Sequence, residues 1–224
     1  MNTRSIFGFL WGFSLIALAG CATESHVAIS IEKPVVTATS YSGAKSSIVV
    51  GQFDNRSSYM RGIFSDGVDR LGGQANTILM AHLHSTGRFT VLDRDNMPGL
   101  AAEAGIAGKK QLLKGAAFML AGDVVEFGRK ETGDVQLFGI LGSGRKQTAY
   151  SKVTLNVVDV LTSQVVFSAS GAGEYALSDR EVIGFGGSSG YDSTLNGKVL
   201  DLAIREAVDR LAEGFDQGLW KEAR

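Results

Sequence analysis

The sequence predicts an α/β (α+β) domain with helices packed on one mixed sheet and extended β-hairpins added to it. Three observations carry this expectation. The stretch from Phe118 to Gly173 is a series of β-type runs joined by polar turns, with the β-branched residues and near-alternation of half-buried antiparallel strands. Two segments, Asp66 to Leu83 and Gly197 to Phe215, place apolar residues three to four apart, as amphipathic helices do. The order strand, helix, strand, helix, three or more strands, helix is that of helices laid on a mixed sheet.

Composition narrows the class further. At 224 residues the chain has room for one domain with extensions. Lys and Arg total 22 against 23 Asp and Glu, a formal net charge of -1, so no global field draws nucleic acid. Glycine is abundant at 29 and proline scarce at 2, which suits strands and tight turns.

Taken in order, the chain begins with a short basic start, Met1 to Arg4, then a mostly apolar run from Ile6 to Leu18. That run is shorter than the roughly 20 apolar residues of a membrane-spanning helix and reads as a signal peptide over residues 1–20. Leu18-Ala19-Gly20-Cys21 resembles the bacterial lipobox, which implies cleavage before Cys21 and acylation of its thiol, palmitate being a typical chain. Each buried CH₂ contributes about 0.8 kcal/mol to such an anchor. Cys21 is the only cysteine, so an intrachain disulfide is impossible. Ala22 stands where the lipobox pattern places Asp for inner-membrane retention, so the expected site is the periplasmic side of the outer membrane. Residues 21–45 are polar, rich in small side chains and without sustained period, and read as a lipid-anchored tether.

The folded domain then occupies 46–224. Ser47 to Phe53 is the first strand, and Asp54 to Gly67 a loop interrupted by Tyr59, Met60, Ile63 and Phe64. The helix from Asp66 places Val68, Leu71, Ala75, Ile78, Leu79 and Leu83 on one stripe, weakened by Gly72-Gly73 at about 1 kcal/mol each. Arg88 to Leu92 alternates as a strand, and Asp93 to Asn96 offers caps for a poorly amphipathic helix over Gly99 to Ala107. Lys109 to Lys114 is a basic connector. In the organising stretch, Asp123 to Gly133 and Val135 to Gln147 pair as a first hairpin with its turn at Arg129-Lys130-Glu131. From Phe167 the alternation of Ala169, Gly171, Gly173, Tyr175 and Leu177 with Ser168, Ser170, Ala172, Glu174 and Ala176 is that of a transmembrane β-strand, with Ser178 to Glu181 as turn and Val182 to Tyr191 as return strand. Both hairpins are equally readable as soluble extensions covered by a neighbouring subunit.

Common signatures of catalysis are scarce: no HExxH, P-loop or cysteine pair occurs. The chain is expected not to be an enzyme and to need no cofactor or metal. His82 and His84 lie two apart on a helix and point to different faces. The Gly-rich runs at Gly139 to Gly144 and Gly184 to Gly190 lack the strand-then-helix setting of a phosphate loop.

GRFTVLDRDN at Gly87 to Asn96, FMLAGDVVEF at Phe118 to Phe127, YSKVTLNVVDVLTSQVVFS at Tyr150 to Ser168 and FDQGLW at Phe215 to Trp220 follow the lipobox, and together this set resembles the CsgG/HfaB family of curli secretion channels. The resemblance implies a periplasmic α/β domain in a nonameric ring, with hairpins near 123–150 and 167–192 closing into one outer-membrane barrel. It implies secretion or assembly of extracellular fibre or adhesin subunits, with accessory envelope proteins as partners and no cofactor. By the same resemblance the loop after the first strand lines the narrowest ring, its candidates being Tyr59, Ile63 and Phe64; Ile63 stands where the family has Asn. The residues leave an alternative open: a periplasmic lipoprotein that forms no channel and scaffolds or activates an envelope complex.

Overall fold

The computed structural model describes residues 41–59, 67–135, 143–181 and 194–221. Cys21, most of the tether, Ile63, Phe64 and the expected return strand Val182 to Tyr191 lie outside them. Eight elements follow in the expected order: β1 (Ser46–Asn55), α1 (Arg70–Ser85), β2 (Phe89–Leu92), α2 (Met97–Ile106), β3 (Phe118–Val135), β4 (Ser143–Asp159), β5 (Val165–Glu181) and α3 (Thr194–Asp216). They build a five-stranded mixed sheet in the order β2-β1-β3-β4-β5. Its β2-β1-β3 part is parallel and its β3-β4-β5 part antiparallel.

Helix α1 starts where Asp69 caps it, its carboxylate accepting the Gly72 N–H at 2.7 Å; such a cap stabilises by about 1 kcal/mol. The other carboxylate oxygen accepts the Asn55 N–H at 2.7 Å, so one side chain joins the end of β1 to the start of α1. Val68, expected on the apolar stripe, precedes this cap and is 62% exposed. Gly72 allows the close approach anticipated for the glycine pair, since a Cβ there would stand 2.3 Å from the Phe53 carbonyl oxygen, whereas Gly73 faces open space. Helix α2 follows a turn closed by Asp93, which accepts both the side-chain and backbone N–H of Asn96; these bonds hold its carboxyl below the usual range. None of the residues of α2 is buried.

Helix α3 buries the predicted stripe, including Leu200, Ala203, Ile204, Ala207, Val208, Leu211 and Phe215, against β4, β5 and α1. Its contact with β5 is glycine-lined. A Cβ at Gly171 would stand 2.1 Å from the Ala203 carbonyl oxygen and one at Gly173 2.8 Å from Leu202 Cβ. The outer edge of β5 is also met by α3: Glu206 accepts the Ala172 N–H at 2.8 Å and Arg210 donates to the Ser170 carbonyl at 2.8 Å. An edge strand so occupied presents fewer open groups to another strand.

Two polar pairs lock the helices from within. His82, 4% exposed, meets Asp201 of α3 through Nε2 at 2.8 Å. Arg88, 3% exposed, donates from Nε and Nη2 to the Asp216 carboxylate, with Tyr41 lying 5.2 Å across its guanidinium. Removing Asp216 would leave the buried Arg88 guanidinium with less to balance its charge. Beside it Trp220 stacks on Phe89 and Phe167 and meets Phe118 edge-on.

The glycine contact generates a stability prediction. Gly171→Ala must push α3 off the sheet and should destabilise by about 1 to 3 kcal/mol in urea unfolding, while Gly73→Ala, in open space within α1, should stabilise by about 1 kcal/mol. Equal effects of the two would contradict the packing.

A second prediction concerns the turn between β4 and β5, where the Asp159 carboxylate accepts the backbone N–H and hydroxyl of Thr162 and the N–H of Leu161. These bonds favour the charged form and lower its pKa. The stabilisation is therefore full above the unfolded carboxyl value and lost as pH falls through the lowered folded one. A carboxyl NMR titration should place the Asp159 midpoint below that of an ordinary aspartate, and an ordinary midpoint would refute the turn geometry.

Candidate functional site

Strands β3, β4 and β5, of 18, 17 and 17 residues, are far longer than the rest of the sheet requires. At about 3.3 Å per residue each measures roughly 55 Å. Their pairing is continuous from Phe118↔Asp159 to Val135↔Ser143 and on to Ser143↔Glu181. The first hairpin is thus present, but its arrangement differs from the expected one. Arg129, Lys130 and Glu131 lie within β3, opposite Ala149, Thr148 and Gln147, because the strand continues to Val135. Likewise Ser178 to Glu181 continues β5, opposite Lys146 to Ser143, and is no turn.

A bulge between Val124 and Glu126 changes the parity of β3 there. Val124 and Phe127 both remain on the helix side, 0% and 4% exposed, although three residues apart. Past the bulge the helix-side face carries Phe127, Arg129 and Glu131 beside Ser151, Ala149 and Gln147, then Gly173 and Tyr175. The opposite face carries Glu126, Lys130, Lys146, Lys152 and Glu174, with Tyr150 lying across Gly128. Arg129 donates to the Gln147 side chain at 2.8 Å. Lys152 stands 3.6 Å from Glu126 with both side chains about half exposed, a pair of small energetic weight.

The alternation from Phe167 has a local cause. The Ala169, Gly171, Gly173, Tyr175 face lies under α3: Ala169 is 6% exposed, both glycines touch the helix, and Lys198 of α3 sits 5.1 Å over the Tyr175 ring. The side that reads as lipid-facing is covered, up to Tyr175, by the chain's own helix. Beyond the Arg129–Ala149–Tyr175 rung the described strands continue over 130–135, 143–148 and 176–181, six residues in each. Both faces next to the rung bear charge.

The loop base after β1 is fastened to the bulge. Arg56 and Ser57 donate their backbone N–H groups to the Val124 carbonyl. Asn55 accepts from Ser57 N–H and hydroxyl and donates to the Tyr59 carbonyl. The Arg56 guanidinium bonds Asp123 and lies by Asp54, which raises its pKa above the usual value, Asp123 being the larger cause. Tyr59 ends this turn half-buried, its ring 4.6 Å from Phe127 and its hydroxyl accepting from Asn196 of α3 at 2.9 Å. Of the three pore-loop candidates, Tyr59 is therefore held in its own subunit's core wall, and Ile63 and Phe64 lie outside the described residues. The Asn196 partner was not readable, since 137 positions separate the two.

An open groove of about 690 Å³ lies at the carboxyl ends of β1 and β2, lined among others by Gly51, Gly72, Gly73, Arg94, Asp95 and Met119. Two of its polar side chains are paired, Arg94 donating to the Lys114 carbonyl and Asn76 to Asp95, while Asn76 Oδ1 is buried with no hydrogen-bond partner. The Asp69 carboxylate occupies the α1 N-terminus, where a phosphate would need to sit. Among the described residues no three His, Cys, Asp or Glu side chains gather as a metal site.

The model of the family described as curli production assembly/transport component CsgG matches residues 32–224. A chain of Neisseria meningitidis serogroup B named "Putative lipoprotein NMB1126/NMB1164" is 60% identical over 209 residues, covering 93% of this chain and 94% of its own. Among solved structures, the PelC dodecamer of Paraburkholderia phytofirmans is similar with TM-score 0.36 and 17% identity, over 74% of this chain and 87% of that one. Lipoprotein GNA1162 of N. meningitidis is similar with TM-score 0.37 and 14% identity, over 75% and 99%.

The role of Tyr59 can be separated by stability. Tyr59→Phe should cost about 1 kcal/mol in a urea melt through the lost bond to Asn196, and Tyr59→Ala clearly more. A Tyr59→Ala protein that melts like the parent would mean the ring is not packed on Phe127.

Proposed function

As this chain belongs to the family of the curli production assembly/transport component CsgG, we propose that it is a lipid-anchored, self-associating envelope lipoprotein that scaffolds an assembly or transport apparatus for extracellular fibre or adhesin subunits. In this reading acylated Cys21 holds it to the periplasmic side of the outer membrane, residues 21–45 form the tether, and 46–224 the working domain. The lipobox and the 60% identical relative that carries the name of a lipoprotein support the anchor.

The observation that carries the scaffold reading is the cover that α3 lays over β5. A lipid-facing strand needs a continuous apolar outer band. Here the apolar face is taken up within the subunit and the other face bears Glu126, Lys130, Lys146, Lys152 and Glu174. Self-association is supported by the sheet face left open among the described residues, where Met119 is 41% and Tyr150 44% exposed, and by the family.

A second reading, the outer-membrane secretion channel, is favoured by the apolar run of Val135, Leu137, Phe138, Ile140 and Leu141 around the first hairpin's tip. There the hairpins of a ring would close into a barrel, with Ile63 and Phe64 of the loop facing the axis. No helix among the described residues is long and apolar enough to cross a membrane, which says nothing of strands.

Anchor and assembly can be tested together. Cys21→Ser should move the protein from the outer-membrane fraction to the soluble periplasm, while detergent-extracted lipidated protein should show closed rings by negative-stain microscopy, from which the subunit number is read. Membrane retention of the Cys21→Ser protein, or monomeric particles at every concentration, would overturn the proposal.

A further inference from the structure

Strand β1 outruns its neighbour on one side only. It pairs with β3 as far as Asn55↔Val124, but with β2 only from Ser46↔Phe89 to Val49↔Leu92. After Leu92 the chain turns away at Asp93, whose carboxylate accepts the side-chain and backbone N–H of Asn96. Among the described residues, the edge of β1 beyond Val49 therefore has no strand partner on the β2 side. Its far end is closed from within the chain, since the Asn55 N–H bonds Asp69 and the Phe53 carbonyl lies against Gly72. The stretch left open is Val50 to Phe53.

The groove of about 690 Å³ runs along this stretch, lined by β1 from Val49 to Phe53 and by Gly72, Gly73 and Asn76 of α1. The Ser46 N–H bonds the Arg88 carbonyl at 3.2 Å, so every second residue of β1 turns its main-chain groups toward β2. Val50 is the next of that series after Ile48 and lies past the last register pair. The register with β3 shifts between Val50 and Phe53, and a bulge of this kind bends the strand and re-aims its groups. Gly73 leaves the α1 wall low, with open space where a Cβ would stand. Asn76 is held one way round, because its Nδ2 donates to the Asp95 carboxylate at 3.3 Å and a carboxylate only accepts. Its Oδ1 is thereby left buried in the wall with no donor.

We infer that this groove takes a short extended peptide segment of a partner protein, which adds to the open edge of β1 in line with β2. An extended main chain presents N–H and C=O groups at the repeat of a strand edge, which is how strand addition gains its affinity. Val49 and Met119 in the lining give its alternate side chains an apolar seat. A charged small ligand fits less well, since Arg94 and Asp95 are both paired and Asp69 occupies the α1 N-terminus. The source of the segment rests on the assembly reading: a fibre or adhesin subunit handled before it folds offers such stretches. Binding of the peptide does not depend on that reading.

The test uses the mature chain with Cys21→Ser, so that no acyl chain interferes, and a short capped peptide of alternating threonine and valine. Titration to about millimolar peptide should move the amide NMR signals of Gly51, Gln52 and Gly73. Of two analogues N-methylated on alternate residues, one for each edge of the peptide strand, at least one should bind about tenfold or more weakly, through lost main-chain bonds. Gly73→Leu should fill the groove and weaken binding to a similar extent. Its thermal melt should lie at or above that of the parent, because the side chain enters open space and glycine is the poorer helix former. Absence of shifts at these amides overturns the inference, as does equal binding of the peptide and both analogues, or undiminished binding by Gly73→Leu. Self-association of the lipid-free protein that Gly73→Leu abolishes also overturns it, by assigning the groove to a second copy. Ring images of the lipidated protein report on the assembly reading separately, so rings without peptide binding would fail this inference alone.

Discussion

The distal half of this protein depends on how closely α3 lies on β5. Gly171 and Gly173 leave no side chain between strand and helix, so the backbones of Ala203 and Ala207 come within van der Waals range of the strand. Glu206 and Arg210 then reach over the edge of β5 to its open N–H and carbonyl. Contact at this range is unforgiving, because a single added methyl meets backbone rather than a movable side chain. The same contact decides what the apolar face of the strand sees, and hence what work is left for the ribbon.

Much of this arrangement was legible in the sequence. The α3 stripe is long and strictly periodic, so helix and buried face both follow from it, and the element order is matched from β1 to α3. What alternation does not state is the identity of the covering layer. Ala169, Gly171, Gly173 and Tyr175 read equally as a strand against lipid or against a helix, and only the packed structure distinguishes them. Arg129-Lys130-Glu131 looked like a turn because charges cluster in turns, yet a two-faced, water-exposed ribbon accepts charges in mid-strand. The bulge at Val125 leaves no compositional trace. Arg88 and Asp216 lie 128 positions apart, beyond the reach of any local pattern, and the half-buried place of Tyr59 depends on the equally distant Asn196.

The polarity of the molecule ties these features to function. One end of the sheet receives the tether and gathers the aromatic cluster around Trp220. The other end is a three-stranded ribbon with charges on both faces. The scaffold role proposed above draws on the ribbon end, whose charged faces are compatible with contacts made in water.

The most direct test of this account is the electrical behaviour of lipidated protein, extracted in detergent and reconstituted in a planar bilayer. If α3 keeps the apolar face of β5 within each subunit, the bilayer should stay at its baseline current even where microscopy shows rings. Stable, stepwise conductance that disappears with Gly171→Ala would mean that the strands line a pore through lipid, and would contradict the account.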